Sequence, residues 1–93
     1  MKKKLARLSI LEQTALARIL VFLKHAKRAC RSELINGVGV SQTAIYNALD
    51  KLLDHELVKA ITPEGSPRRK DVVLTETGLR LAIELEKLLE VLP

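Results

Sequence analysis

The stretch Glu33-Leu34-Ile35-Asn36-Gly37-Val38-Gly39-Val40-Ser41-Gln42-Thr43-Ala44-Ile45-Tyr46-Asn47-Ala48-Leu49 decides the fold. Apolar residues at 34, 38, 40, 45, 49 and 52 flank a turn built on Gly39, and Ser41 follows it as a helix cap. Glycine takes the positive-φ conformation such a turn requires at low steric cost. The Ser41 hydroxyl can accept from the orphan amides of the next turn, while Val40 falls between the two helices. This spacing predicts two short helices that cross, share one core and leave the outer face of the second helix free. It is a helix-turn-helix pattern.

Outward from this centre, the chain predicts helix, helix, helix, hairpin, helix. Residues 1–8 are a basic arm. Ser9 and Glu12 have capping-box spacing for a first helix from Ile10 to Lys24, with a stripe of Leu16, Ile19, Leu20 and Leu23 and with Leu11, Ala15 and Phe22 beside it. Lys27-Arg28-Ala29 is a connector or a very short strand. The second helix runs over about 31–38 and the third over about 41–55. On the third, Ile45, Ala48, Leu49, Leu52 and Leu53 are expected inward. Thr43, Ala44, Tyr46, Asn47, Asp50 and Lys51 are expected outward. Residues 57–62 and 71–75 are paired strands, joined by turn residues Pro63, Gly65 and Pro67. Thr75 caps a last helix over about 76–92, whose stripe is Leu81, Ala82, Leu85, Leu88, Leu89 and Leu92. The fold class is mainly α with a small β-hairpin, and residues 9–93 form one domain.

Composition narrows the function. At 93 residues the chain has room for one modest core, and Phe22 and Tyr46 are its only aromatic residues. The net charge of +5 is unevenly spread, because residues 1–31 hold nine basic residues against the single acid Glu12. A basic first third suits an anionic partner, nucleic acid before membrane. The longest apolar run, Ile19 to Leu23, is far too short to span a bilayer. One cysteine forms no internal disulfide and the N-terminus carries no signal core, so an intracellular, nucleoid-associated place is expected. Phosphate-cradling loops, zinc-protease motifs and nucleophile–base sets are all missing from the sequence, which argues against an enzyme. His25 and His55 stand alone at no metal-ligand spacing, and neither a metal nor a cofactor is expected.

On residues 33–58 and on Gly65-Ser66-Pro67-Arg68-Arg69-Lys70-Asp71-Val72-Val73-Leu74-Thr75-Glu76-Thr77-Gly78, the chain resembles the winged helix-turn-helix transcriptional regulators of bacteria and archaea, particularly the MarR- and PadR-like groups. The second stretch is similar to the family's basic wing and the Leu-Thr-Glu-x-Gly start of its C-terminal helix. Two departures stand out. Glu56 occupies the end of the recognition helix where the family usually has glycine, and Gly37 falls inside the second helix, which should weaken it. The chain lacks the extra helices that form ligand pockets in larger relatives, so no small-molecule ligand is implied.

The resemblance implies a homodimer on double-stranded DNA. Its recognition helix, about 41–55, would enter the major groove through Ser41, Gln42, Thr43, Ala44, Tyr46, Asn47 and Lys51. Gln42 and Asn47 carry amides able to pair with adenine. The wing, about 57–75, would lay Arg68, Arg69 and Lys70 along the minor groove or backbone. Lys2, Lys3, Lys4, Arg28 and Arg31 are candidate phosphate contacts. Leu11, Phe22, Leu81, Leu85, Leu88, Leu89 and Leu92 are candidate dimer residues, since the apolar arcs of the first and last helices exceed what one small core covers. Cys30, between Arg28 and Arg31 at a helix start, has the surroundings of a redox-sensing thiol, or is a small packing residue. Two rival readings remain at this stage: a winged helix that binds protein within a transcription or replication assembly, and a non-specific architectural DNA binder.

Overall fold

The computed structural model describes residues 1–6, 15–65 and 70–92. The expected first helix before Ala15, its Ser9–Glu12 capping pair, Leu11 and the wing residues Ser66 to Arg69 lie outside the described residues. Within the basic arm, Lys2–Ala6 is a short helix, α1, and none of its residues is buried.

The stripe at 16, 19, 20 and 23 does what its spacing predicts. All four side chains are buried on α2 (Leu16–Ala26). α2 runs two residues beyond the expected end and stops at Lys27, whose φ of +73° turns the chain and whose amide donates to the Leu23 carbonyl. The connector is a true strand, β1 (Arg28–Ala29). α3 (Arg31–Val38) buries Leu34 and ends on Gly39 at φ +81°. Ser41 then caps α4 (Gln42–Asp54), its Oγ accepting from the Ala44 amide at 3.2 Å. On α4, Ile45, Ala48, Leu49 and Leu52 enter the core as expected. Leu53 does not. It lies at the edge of the apolar arc and is 38% exposed, whereas Ala44, expected outward, is half-buried against the core.

Gly37 has a packing reason that its helix position hides. A Cβ there would stand 2.5 Å from the Phe22 ring, so the missing side chain lets α2 lay its aromatic residue against α3.

β2 (Val58–Ile61) and β3 (Asp71–Leu74) form the hairpin, and β1 adds to the other edge of β3 to give the antiparallel order β1-β3-β2. Val58 pairs with Leu74 and Ile61 with Asp71, while Ala29 pairs with Val72. Buried Ala29, Leu57, Val58 and Val72 carry the sheet onto the helical core.

The end of α4 and the start of α5 (Glu76–Leu89) are tied in one knot. The Leu57 amide donates to the Leu52 carbonyl and the Glu56 amide to the Leu53 carbonyl, the paired bonds of a Schellman motif. Glu56 takes the left-handed position at φ +56°, where glycine is usual. Thr75 Oγ1 donates to the Glu56 carbonyl (2.7 Å) and accepts from the Gly78 amide (3.1 Å), and the Thr75 amide donates to the Leu57 carbonyl (3.0 Å). α5 is tied to α2 at its other end. Lys24 Nζ and His25 Nε2 both contact the Glu86 carboxylate, and these hydrogen bonds, His25 first, hold its carboxyl below the ordinary 4.5. α5 ends at Leu89, and Val91 and Leu92 beyond it are exposed.

Candidate nucleic-acid interface

The turn on Gly39 and the Ser41 cap aim the first two turns of α4 outward, because the inward positions 45, 48, 49 and 52 are committed to the core. Gln42, Thr43, Tyr46, Asn47 and Lys51 all lie exposed on that outer face. They are not independent. Gln42 Nε2 donates to the Tyr46 hydroxyl at 2.8 Å, and the Arg31 guanidinium of α3 sits 5.1 Å from the Tyr46 ring centroid. Ser41 remains exposed, but its hydroxyl is engaged in capping.

A groove of about 510 Å3 runs beside this face between α3, α4 and the hairpin, with Cys30, Arg31, Ser32, Leu53, Lys70 and Val72 along it. It places the α3 start, the recognition helix and the root of the wing on one side of the molecule. Arg68 and Arg69, expected at the wing tip, lie outside the described residues. Lys70, just before β3, is exposed.

Other predicted residues are distributed differently. Arg28 points its Nε toward Asp71 Oδ2 at 3.6 Å, so this candidate phosphate contact has a partner within the protein. Asp71 itself is only 1% exposed. Nothing in the sequence marks that burial, since an acid following three cations reads as solvated. Lys2, Lys3 and Lys4 stand exposed on α1. Cys30 is half-buried, and the Glu33 carboxylate accepts from its amide at 3.1 Å. The cysteine thus stands at the helix cap, the position Ser or Thr usually fills in a capping box. Among the described residues no group of His, Cys, Asp and Glu converges to hold a metal ion.

Elsewhere, Phe22, Leu85, Leu88, Leu89 and Leu92 line an apolar groove of about 430 Å3 together with Gly37. Leu81, expected on the same stripe, is half-buried against the core, as Phe22 and Leu85 are, and lies outside the groove lining.

The sequence profile of the ArnR1-like winged-helix domain matches residues 4–92, nearly the whole chain. The chain belongs to the ArnR1-like winged-helix family. The helices α2, α3 and α4, the three-stranded antiparallel sheet and the closing helix α5 make up the winged-helix fold of transcription regulators. A mutant of ZitR from Lactococcus lactis superposes with a TM-score of 0.74 at 25% identity, over 84% of this chain and 53% of that one. SSV1 F-93 superposes with a TM-score of 0.72 at 26% identity, over 83% of this chain and 87% of that one. The reduced form of MarR from E. coli shares the fold, with a TM-score of 0.75 at 24% identity over 91% of this chain and 63% of that one. The ArnR1-like chain spans about half the length of the ZitR structures it matches. No curated protein matches its sequence. Among the described residues no helix is long and apolar enough to cross a membrane. The fold supports a DNA-binding regulator.

Proposed function

We propose that the chain is a homodimeric transcriptional regulator that reads a specific double-stranded sequence. One observation carries the reading. The exposed polar face of α4, Arg31 at the start of α3 and Lys70 at the wing root lie together along one groove, and the apolar groove is lined by a separate set of residues. In this arrangement Gln42, Thr43, Tyr46 and Asn47 meet base edges and Ser41, Ala44 and Lys51 border them, with Asp50 and Asp54 keeping the later turns of α4 off the bases. Arg31, Lys70 and the wing residues Arg68 and Arg69 supply phosphate contacts, with Lys2, Lys3 and Lys4 as further cations. Leu85, Leu88, Leu89 and Leu92, with Phe22, form the dimer contact that covers the apolar groove. Two recognition helices related by the dimer axis then meet half-sites about 10 bp apart, centre to centre.

Fluorescence anisotropy across a salt series tests this, with the duplex upstream of the protein's own gene set against a scrambled control. Tighter binding to the upstream duplex, surviving salt better than the control, is the expected result. Equal and steeply salt-sensitive binding to both would make the chain an architectural DNA binder. Absence of binding at low salt would leave a protein-interaction module.

A further inference from the structure

We infer that Tyr46 is a positioning residue that holds the Gln42 amide in one place against the DNA, and thereby sharpens the base-pair preference at that position. The inference rests on the DNA-binding reading and deepens it. Gln42 and Tyr46 are one turn apart on the outer face of α4, and Gln42 Nε2 donates to the Tyr46 hydroxyl at 2.8 Å. Tyr46 is itself held from the neighbouring helix, with the Arg31 guanidinium 5.1 Å from its ring centroid. It is 37% exposed, so one side of the ring is covered while the hydroxyl reaches along the helix to Gln42.

A glutamine amide offers a carbonyl acceptor and two N–H donors, on a long side chain with many rotamers. One N–H of Gln42 is given to Tyr46, which leaves the carbonyl and the second N–H for base edges. Tethered in this way, the amide meets the major groove from one position rather than many, so fewer base pairs can satisfy it. The tyrosine hydroxyl, having accepted from Gln42, keeps its own proton for a phosphate oxygen.

The test is selection of bound duplexes from a randomised library by the full chain, and by its Gln42→Ala and Tyr46→Phe variants. Gln42→Ala identifies the base pair that Gln42 reads, as the one where selection collapses. At that pair the wild type is expected to prefer one base pair over the other three arrangements. Tyr46→Phe keeps the ring beneath Arg31 and removes only the hydroxyl, so discrimination there should fall by about fivefold or more, with other positions unchanged. A purely structural role for Tyr46 would leave the preference at that one pair untouched. An unaltered preference in Tyr46→Phe or in Gln42→Ala overturns the inference. In those cases sequence-specific binding itself still stands. Failure of the wild type to enrich any sequence removes the DNA reading, and the inference with it.

Discussion

A methyl group on Gly78 would stand 1.9 Å from the Leu57 carbonyl oxygen, backbone that cannot yield without undoing the end of α4. Gly78→Ala is therefore expected to destabilise the chain by about 3 kcal/mol, the upper part of the range for over-filled sites, measured by urea unfolding. Glu56, on the same knot, has the reverse error. Its φ of +56° costs a side-chain-bearing residue about 1–2 kcal/mol, partly offset by the greater freedom glycine has in the unfolded chain. Glu56→Gly should stabilise by about 0.5–1 kcal/mol, and a lower unfolding midpoint in that variant would contradict the Schellman geometry. The motif containing Gly78 is legible in the sequence, but its cause is not, because the contact joins residue 78 to residue 57 through a turn no periodicity reveals. Gly37 is similar: in sequence it is a weak point of a helix, and in three dimensions it is the seat of the Phe22 ring. The Gln42–Tyr46–Arg31 contacts are half legible. The spacing of Gln42 and Tyr46 is plain in the sequence, while Arg31 arrives from another helix.

At the scale of elements, periodicity carries furthest where one face of a helix is wholly committed. The positions 16, 19, 20 and 23 of α2 and 45, 48, 49 and 52 of α4 are buried as read. It fails at the margins of the arc, where Leu53 and Ala44 exchange their expected sides because neighbouring elements decide them. Long-range charge pairs are equally hidden, and the tie between α2 and α5 shows the consequence. Glu86 has its folded pKa lowered by His25 and Lys24, so its contribution is present above about 4.5 and is lost as pH falls through the lower folded value. Glu86→Gln should melt at a lower temperature than the wild type near neutral pH, and the two should converge in acid well below 4.5. A difference in melting temperature that persists unchanged in acid would show that the loss at residue 86 is not electrostatic.

For the whole molecule, the two faces carry different work. The apolar groove of α2, α3 and α5 exposes more leucine than a lone domain has reason to show, with Leu88 57% and Leu89 55% exposed. The double substitution Leu88→Glu with Leu89→Glu should give a folded monomer in sedimentation velocity and weaken DNA binding through lost bivalency. A dimer that survives it would place the contact elsewhere. The other face is the one that meets DNA, and backbone amide NMR of the protein titrated with its upstream duplex checks this. The largest shifts are expected at residues 41–47, at Arg31 and along the hairpin to Asp71, with the groove around Phe22 and Leu89 scarcely changed. Shifts concentrated in that groove, with the outer face of α4 silent, would contradict it.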